Sequence, residues 1–120
     1  MKYTNSYNPS NAFVARLPAH ISGHQQFFNI LFETLLLPGY FGFNWDALSD
    51  CLRDFHWIEK ELIVIVHENL PEISLPELKI YIEILSDSVL DWKLEGEHQL
   101  EIFFPESVKE QLVSLLDENE

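Results

Sequence analysis

The run LIVIV, Leu62–Val66, limits the possible folds more than any other stretch of the chain. Its five apolar residues are mostly β-branched, which suits a strand, and leave no polar position to face water. A strand of this kind is covered on both faces, as in parallel sheets, and parallel neighbours need crossover connections, usually helical. The flanking sequence supplies both. AFVARL (Ala12–Leu17), stopped by Pro18, and LEIFF (Leu100–Phe104), stopped by Pro105, read as two more strands. After the first, Ser22 and Gln25 are spaced as a capping box ahead of Phe27, Phe28, Leu31 and Leu35, and that helix must end before Pro38. Asn44 is placed to cap a second helix with Trp45, Leu48, Leu52 and Phe55 as its buried stripe. Ser74 and Glu77 form another capping box, opening a long helix with Leu78, Ile82, Leu85, Val89 and Trp92 on one side. Gly96 suits the left-handed residue that ends such a helix.

The order predicts an α/β fold: a small three-stranded parallel sheet packed with helices and joined by right-handed crossovers. Val108, Leu112, Leu115 and Leu116 add a short closing helix in a C-terminal extension, residues 106–120. With 120 residues, 47% of them hydrophobic, the chain is expected to be one domain with its own core, residues 1–10 forming a flexible polar terminus. No apolar run is long enough to span a bilayer, and MKYTNSYNPSN lacks the apolar centre of a signal peptide, so the expected location is the cytosol. A single cysteine, Cys51, excludes an internal disulfide and a cysteine-rich zinc site.

Charge narrows the function. Twenty acidic residues stand against seven Lys and Arg, a net charge of -13. No acid precedes Glu33, so Lys2 and Arg16 give residues 1–32 a charge of +2 and leave -15 for the rest. Such a field repels nucleic acid and anionic lipid and draws in basic proteins. The acids are also patterned. Asp46, Asp50 and Asp54 recur every four residues on the second helix's polar side, as do Glu83, Asp87, Asp91 and Glu95 on the long helix. A solvated face ordinarily mixes signs, because like charges four apart repel by ~0.2–0.5 kcal/mol per pair. Such rows suit a partner's Arg and Lys. The preceding turn, GYFGFNW (Gly39–Trp45), has too many aromatics for an ordinary exposed loop. Phe43 and Trp45 are assigned to the core, while Tyr40 and Phe41, if exposed, are rigid anchors of the kind enriched at interface centres. Gly39 and Gly42 would give the turn its backbone freedom.

The segment LPGYFGFNWDALSDCL (Leu37–Leu52) resembles the signature of the barstar family, intracellular inhibitors of barnase-type ribonucleases. The shared pattern is Leu-Pro, an aromatic pair, Gly, Asn, Asp-Ala-Leu and Asp-Cys-Leu. The resemblance implies a barstar-like parallel sheet with helices on it, in agreement with the periodicity. It further implies a partner-binding surface of Tyr40, Phe41, Gly42, Asn44, Asp46 and Asp50, which plugs the nuclease's active site. Asp50 would stand where the substrate phosphate binds, met by the enzyme's Arg and His. A further acidic contact from late in the long helix falls at Asp91. The implied partner is a basic extracellular-type ribonuclease or toxin nuclease, held by a monomer in a 1:1 complex without cofactor or metal. Three features depart from the pattern: Ser49 replaces an aromatic, Phe43 replaces a polar residue, and the chain extends beyond Pro105.

Other functions fit less well. Asp46 and Asp50 could be paired as in a glycosidase, but nothing sets one apart for a raised pKa, and no nucleophile, phosphate-loop or dinucleotide motif is present. An enzyme is therefore not expected. Cys51 lies on the apolar side of its helix and reads as a small buried hydrophobe. His20 and His24 lack a third metal ligand, and the acidic rows lack the glycine and alternating oxygens of a calcium loop. The competing binding roles are an immunity protein or antitoxin against a toxin that is not a ribonuclease, and an acidic mimic of nucleic acid.

Overall fold

The computed structural model describes residues 1–5 and 10–117. Its elements are β1 (Lys2–Tyr3), β2 (Ala12–Leu17), α1 (His24–Thr34), α2 (Trp45–Leu52), β3 (Leu62–His67), α3 (Leu75–Glu95), β4 (Gln99–Phe104), a 3-10 turn at Glu106–Val108, and α4 (Lys109–Asp117). The sheet has four strands in the order β1-β4-β3-β2, all pairs parallel. The expectation of three strands is corrected at this point, because Lys2 and Tyr3, in the segment expected to be flexible, form a fourth. Lys2 and Tyr3 pair with Phe103 and Phe104, and the Lys2 ammonium meets Glu101 at 2.7 Å. Residues 6–9 of that terminus lie outside the described residues.

Strand β3 is central, and Ile63, Val64 and Ile65 are all fully buried, as an unbroken apolar run requires. On one face Ala15, Leu17, Ile63, Ile65, Leu100, Ile102 and Phe104 meet the helices, with Phe27, Phe28 and Leu31 of α1, Leu48 and Leu52 of α2, and Leu78, Ile82 and Leu85 of α3 in the same core. Val108, Leu112 and Leu115 join this core from the C-terminal extension. The helix there is therefore an integral part of the packing.

Local signals set most boundaries. Asn44 caps α2 by accepting the Ala47 N–H at 2.8 Å, and Ser74 caps α3 by accepting from Glu77 at 3.3 Å. The expected Ser22–Gln25 box does not form. Ser22 is bridged to Glu72 instead, the Gln26 side chain accepts its N–H, and Gly23 at φ 82 turns the chain into α1. Gly96 is not left-handed either, with φ -97 and ψ 132. Its role is steric, because a Cβ there would lie 2.1 Å from the Trp92 carbonyl oxygen and 2.6 Å from that of His98.

The sheet also buries a polar group. His67 ends β3 with its Nδ1–H donating to the Phe103 carbonyl at 2.9 Å. Its Nε2 accepts from the Tyr81 hydroxyl at 2.6 Å. The ring stacks on Phe104 at 4.0 Å. Burial lowers its pKa to about 4, against the upward pull of the Phe103 carbonyl, so the native imidazole is neutral at pH 7. The unfolded chain protonates this group near 6.5 and so binds more protons between pH 6.5 and about 4. The contribution is complete above pH 6.5 and lost as pH falls towards 4, on the order of 3 kcal/mol in all. Urea unfolding between pH 4.5 and 7 should show this slope, and the slope should be shallower in His67→Gln.

Candidate functional site

The turn ahead of α2 is held by packing and three short-range hydrogen bonds. The Phe41 N–H donates to the Pro38 carbonyl at 2.9 Å. Asn44 uses both ends of its amide: Oδ1 caps α2 while Nδ2 donates to the Gly42 carbonyl at 3.2 Å. A Cβ on Gly42 would lie 3.0 Å from that Nδ2, so the bare glycine leaves room for the amide to fold back. Neither Gly39 nor Gly42 adopts a positive φ; the left-handed residue is Phe43, at φ 53. Such a conformation costs an aromatic residue ~1–3 kcal/mol and needs support from its surroundings. Support comes from Phe32 at 5.2 Å and Phe41 at 4.9 Å between ring centroids. Trp45 packs edge-on against Phe28 at 4.6 Å. The turn is thus fixed to α1 by aromatic contacts.

This packing reassigns the aromatics. Phe41, read from the sequence as an exposed anchor, is only 3% exposed. Its ring packs with Phe28, Phe32 and Phe43, because the left-handed Phe43 folds the turn back over α1. Phe43 and Trp45 are half-buried at the edge of this cluster. Tyr40 is the exposed aromatic, at 67%. Its hydroxyl makes a long contact to Asp54 Oδ2 at 3.4 Å.

The carboxylates separate into two groups. Asp46 lies in the first turn of α2 and Asp50 one turn later, both exposed, and among the described residues neither side chain has a hydrogen bond or ion pair. The remaining acids on this side are occupied. Asp54 follows the end of α2, so it does not continue the helical row, and it meets His56 Nδ1 at 2.8 Å. Asp91 meets Arg53 Nε at 3.2 Å, and Asp87 meets Arg53 Nη2 at 3.9 Å. Arg53, three residues after Asp50, has the spacing of a helical ion pair with it. Helix packing gives it to α3 instead, since the Trp92 indole N–H donates to the Leu52 carbonyl at 2.8 Å and holds α3 beside the end of α2. Residues 40, 42, 44, 46 and 50 are therefore all exposed along the strip of chain formed by the turn and α2, with Phe41 buried under the turn and Asp91 tied to the C-terminal end of α2 through Arg53. The parts that sequence reasoning missed are Arg53's cross-helix pairing and His56. The available signal was a lone arginine on one acidic helix facing an uncompensated row on another.

The strip is anionic, with Asp46 and Asp50 both exposed on it. Burial pushes the Cys51 thiol pKa up, and Asp54 and Asp50 push it further, so the one thiol beneath the strip stays protonated. Among the described residues no group of three or more His, Cys, Asp and Glu is placed to hold a metal. No helix among the described residues is long and apolar enough to cross a membrane.

A family model described as Barstar (barnase inhibitor) matches residues 13–105. No match to a curated protein was found. The matched stretch runs from β2 through the turn, both acidic helices and β4 to Pro105, well over half of the chain, and the chain belongs to the barstar family, whose members are inhibitors of barnase-type ribonucleases.

Proposed function

We propose that this protein is a stoichiometric inhibitor of a basic barnase-like ribonuclease or toxin nuclease, working in the cytosol as a monomer in a 1:1 complex. Charge steers the encounter, and the turn and α2 enter the nuclease's active site. The Arg, Lys and His that would bind the RNA phosphate are masked by Asp50 and Asp46. The observation that carries this reading is the pair of exposed carboxylates on α2, without a partner among the described residues, in the segment that resembles the family's signature. Leaving two like charges one turn apart costs a few tenths of a kcal/mol with no return among the described residues, so the return is expected from a partner.

Titration of a barnase-type ribonuclease with the purified protein tests this. RNA hydrolysis should fall linearly and reach zero at one equivalent, while the protein alone hydrolyses no RNA, sugar or ester. A turnover activity lost in Asp50→Ala would replace the inhibitor with an enzyme. Tight binding to a toxin that does not cleave RNA would move the assignment to an immunity protein of another class.

The same reading predicts a kinetic signature. Association should slow steeply with ionic strength, by tenfold or more between ~0.05 and 0.5 M salt, while dissociation changes little. Stopped-flow measurement would show it. An on-rate insensitive to salt would leave the charge a matter of solubility alone.

A further inference from the structure

The geometry points to Arg53 as a selectivity residue: it disfavours partners that meet this end of the surface with cations and fits a basic nuclease that presents a carboxylate there. The inference rests on the inhibitory reading above and adds to it the kind of partner face involved.

Arg53 caps the C-terminus of α2, three residues after Asp50, and so lies about one turn from the carboxylate expected to meet the partner's phosphate-binding cations. It is not a loose surface arginine. The Trp92–Leu52 hydrogen bond of 2.8 Å fixes α3 against the end of α2, which places Asp91 at 3.2 Å and Asp87 at 3.9 Å from the guanidinium without either helix moving. Two consequences follow. Asp87 and Asp91, which the sequence offers as receivers of a partner's Arg or Lys, are already partly neutralised. The Arg53 side chain is 44% exposed, and its guanidinium N–H groups exceed what two carboxylate contacts can occupy, so it faces an incoming protein as a reachable cation. A partner cation that reaches Asp50 and its neighbours at this end meets a like charge, which is an effective means of rejecting wrong partners. A partner carboxylate completes the guanidinium's contacts and turns the same residue into an attraction.

Barnase is the probe, and its inhibition is measured for the parent protein, Arg53→Ala, Arg53→Lys, Arg53→Glu and Lys109→Ala. The last is a control for net charge: it removes one positive charge from α4, where the ammonium lies over the Tyr3 ring. Arg53→Ala should inhibit barnase at least tenfold more tightly than the parent, and Arg53→Glu more tightly again. Arg53→Lys should stay within about threefold of the parent, because it keeps the cation and a carboxylate contact. Lys109→Ala should change inhibition less than twofold. Circular dichroism of each variant establishes that it is folded. Inhibition by Arg53→Ala that is unchanged or weaker, or a gain equalled by Lys109→Ala, would overturn the selectivity role while leaving the inhibitor reading intact. Failure of the parent and of every Arg53 variant to inhibit barnase would overturn both.

Discussion

Asp50→Ala should fold as well as the parent and bind its nuclease more weakly by at least ~2 kcal/mol, the threshold of a binding hot spot. Both halves of this result come from the surroundings of Asp50. The side chain is exposed, has no hydrogen bond or ion pair among the described residues, and follows Asp46 at the spacing where like charges repel. Removing it sacrifices nothing inside the chain and relieves ~0.2–0.5 kcal/mol of repulsion. Its field reaches the buried Cys51 thiol, whose pKa is raised by burial first and by Asp54 and Asp50 after that. The size of the binding loss is borrowed from hot spots in general, whose largest values include an aspartate of barstar itself.

The other acids rank below Asp50 for stated reasons. Asp46 is in the first turn of α2, where the helix N-terminus already favours its charge, so the partner has less to add. Asp91 is third because Arg53 holds it at 3.2 Å. Asp54 should matter least, since His56 meets it at 2.8 Å and it lies past the end of the helix. Titrating each alanine variant against the nuclease by calorimetry gives the order directly. A larger loss for Asp54→Ala than for Asp50→Ala would mean that the protein docks through a different face.

How far the sequence reveals these features depends on how local each interaction is. The caps at Asn44 and Ser74, the buried β3 and the stripe of α4 were legible because each is written within a few neighbouring residues. Strand β1 was not. Two residues carry no periodicity, and its partners, Phe103 and Phe104, lie at the other end of the chain. The His67–Tyr81 bond joins a strand to a helix across 14 residues and leaves no local trace. Arg53 shows a harder case, in which a local rule gives an answer and tertiary packing overrides it: spacing gives Asp50, while the contact of α2 with α3 gives Asp87 and Asp91. The signature pointed to the strip, but within GYFGFNW it could not say which ring turns inward. That choice depends on a single backbone angle at Phe43.

That choice sets the second large effect. Phe41→Ala should lower the stability of the free protein by ~3–5 kcal/mol, the usual cost of deleting a buried aromatic side chain. Phe41 is 3% exposed, packs with Phe28, Phe32 and Phe43, and leaves a void that the rings around it can fill only in part. Removing it also withdraws the contact that supports Phe43 at φ 53, so the turn should loosen and the register between Tyr40 and Asp46 should be lost. Tyr40→Ala should do the reverse. Tyr40 is 67% exposed and, among the described residues, its only hydrogen bond is the 3.4 Å contact to Asp54, so stability should change by no more than ~0.5 kcal/mol. Its ring is a rigid apolar surface on the turn expected to meet the nuclease, and truncation should weaken nuclease binding by ~2 kcal/mol. Thermal unfolding of the free proteins separates the two. Phe41→Ala should melt more than ~10 °C below the parent, and Tyr40→Ala within ~2 °C of it. Inhibition titrations at a temperature where both variants are folded complete the comparison. If Phe41→Ala melts with the parent and yet binds as poorly as Tyr40→Ala, both rings face the partner and the inward placement of Phe41 is wrong.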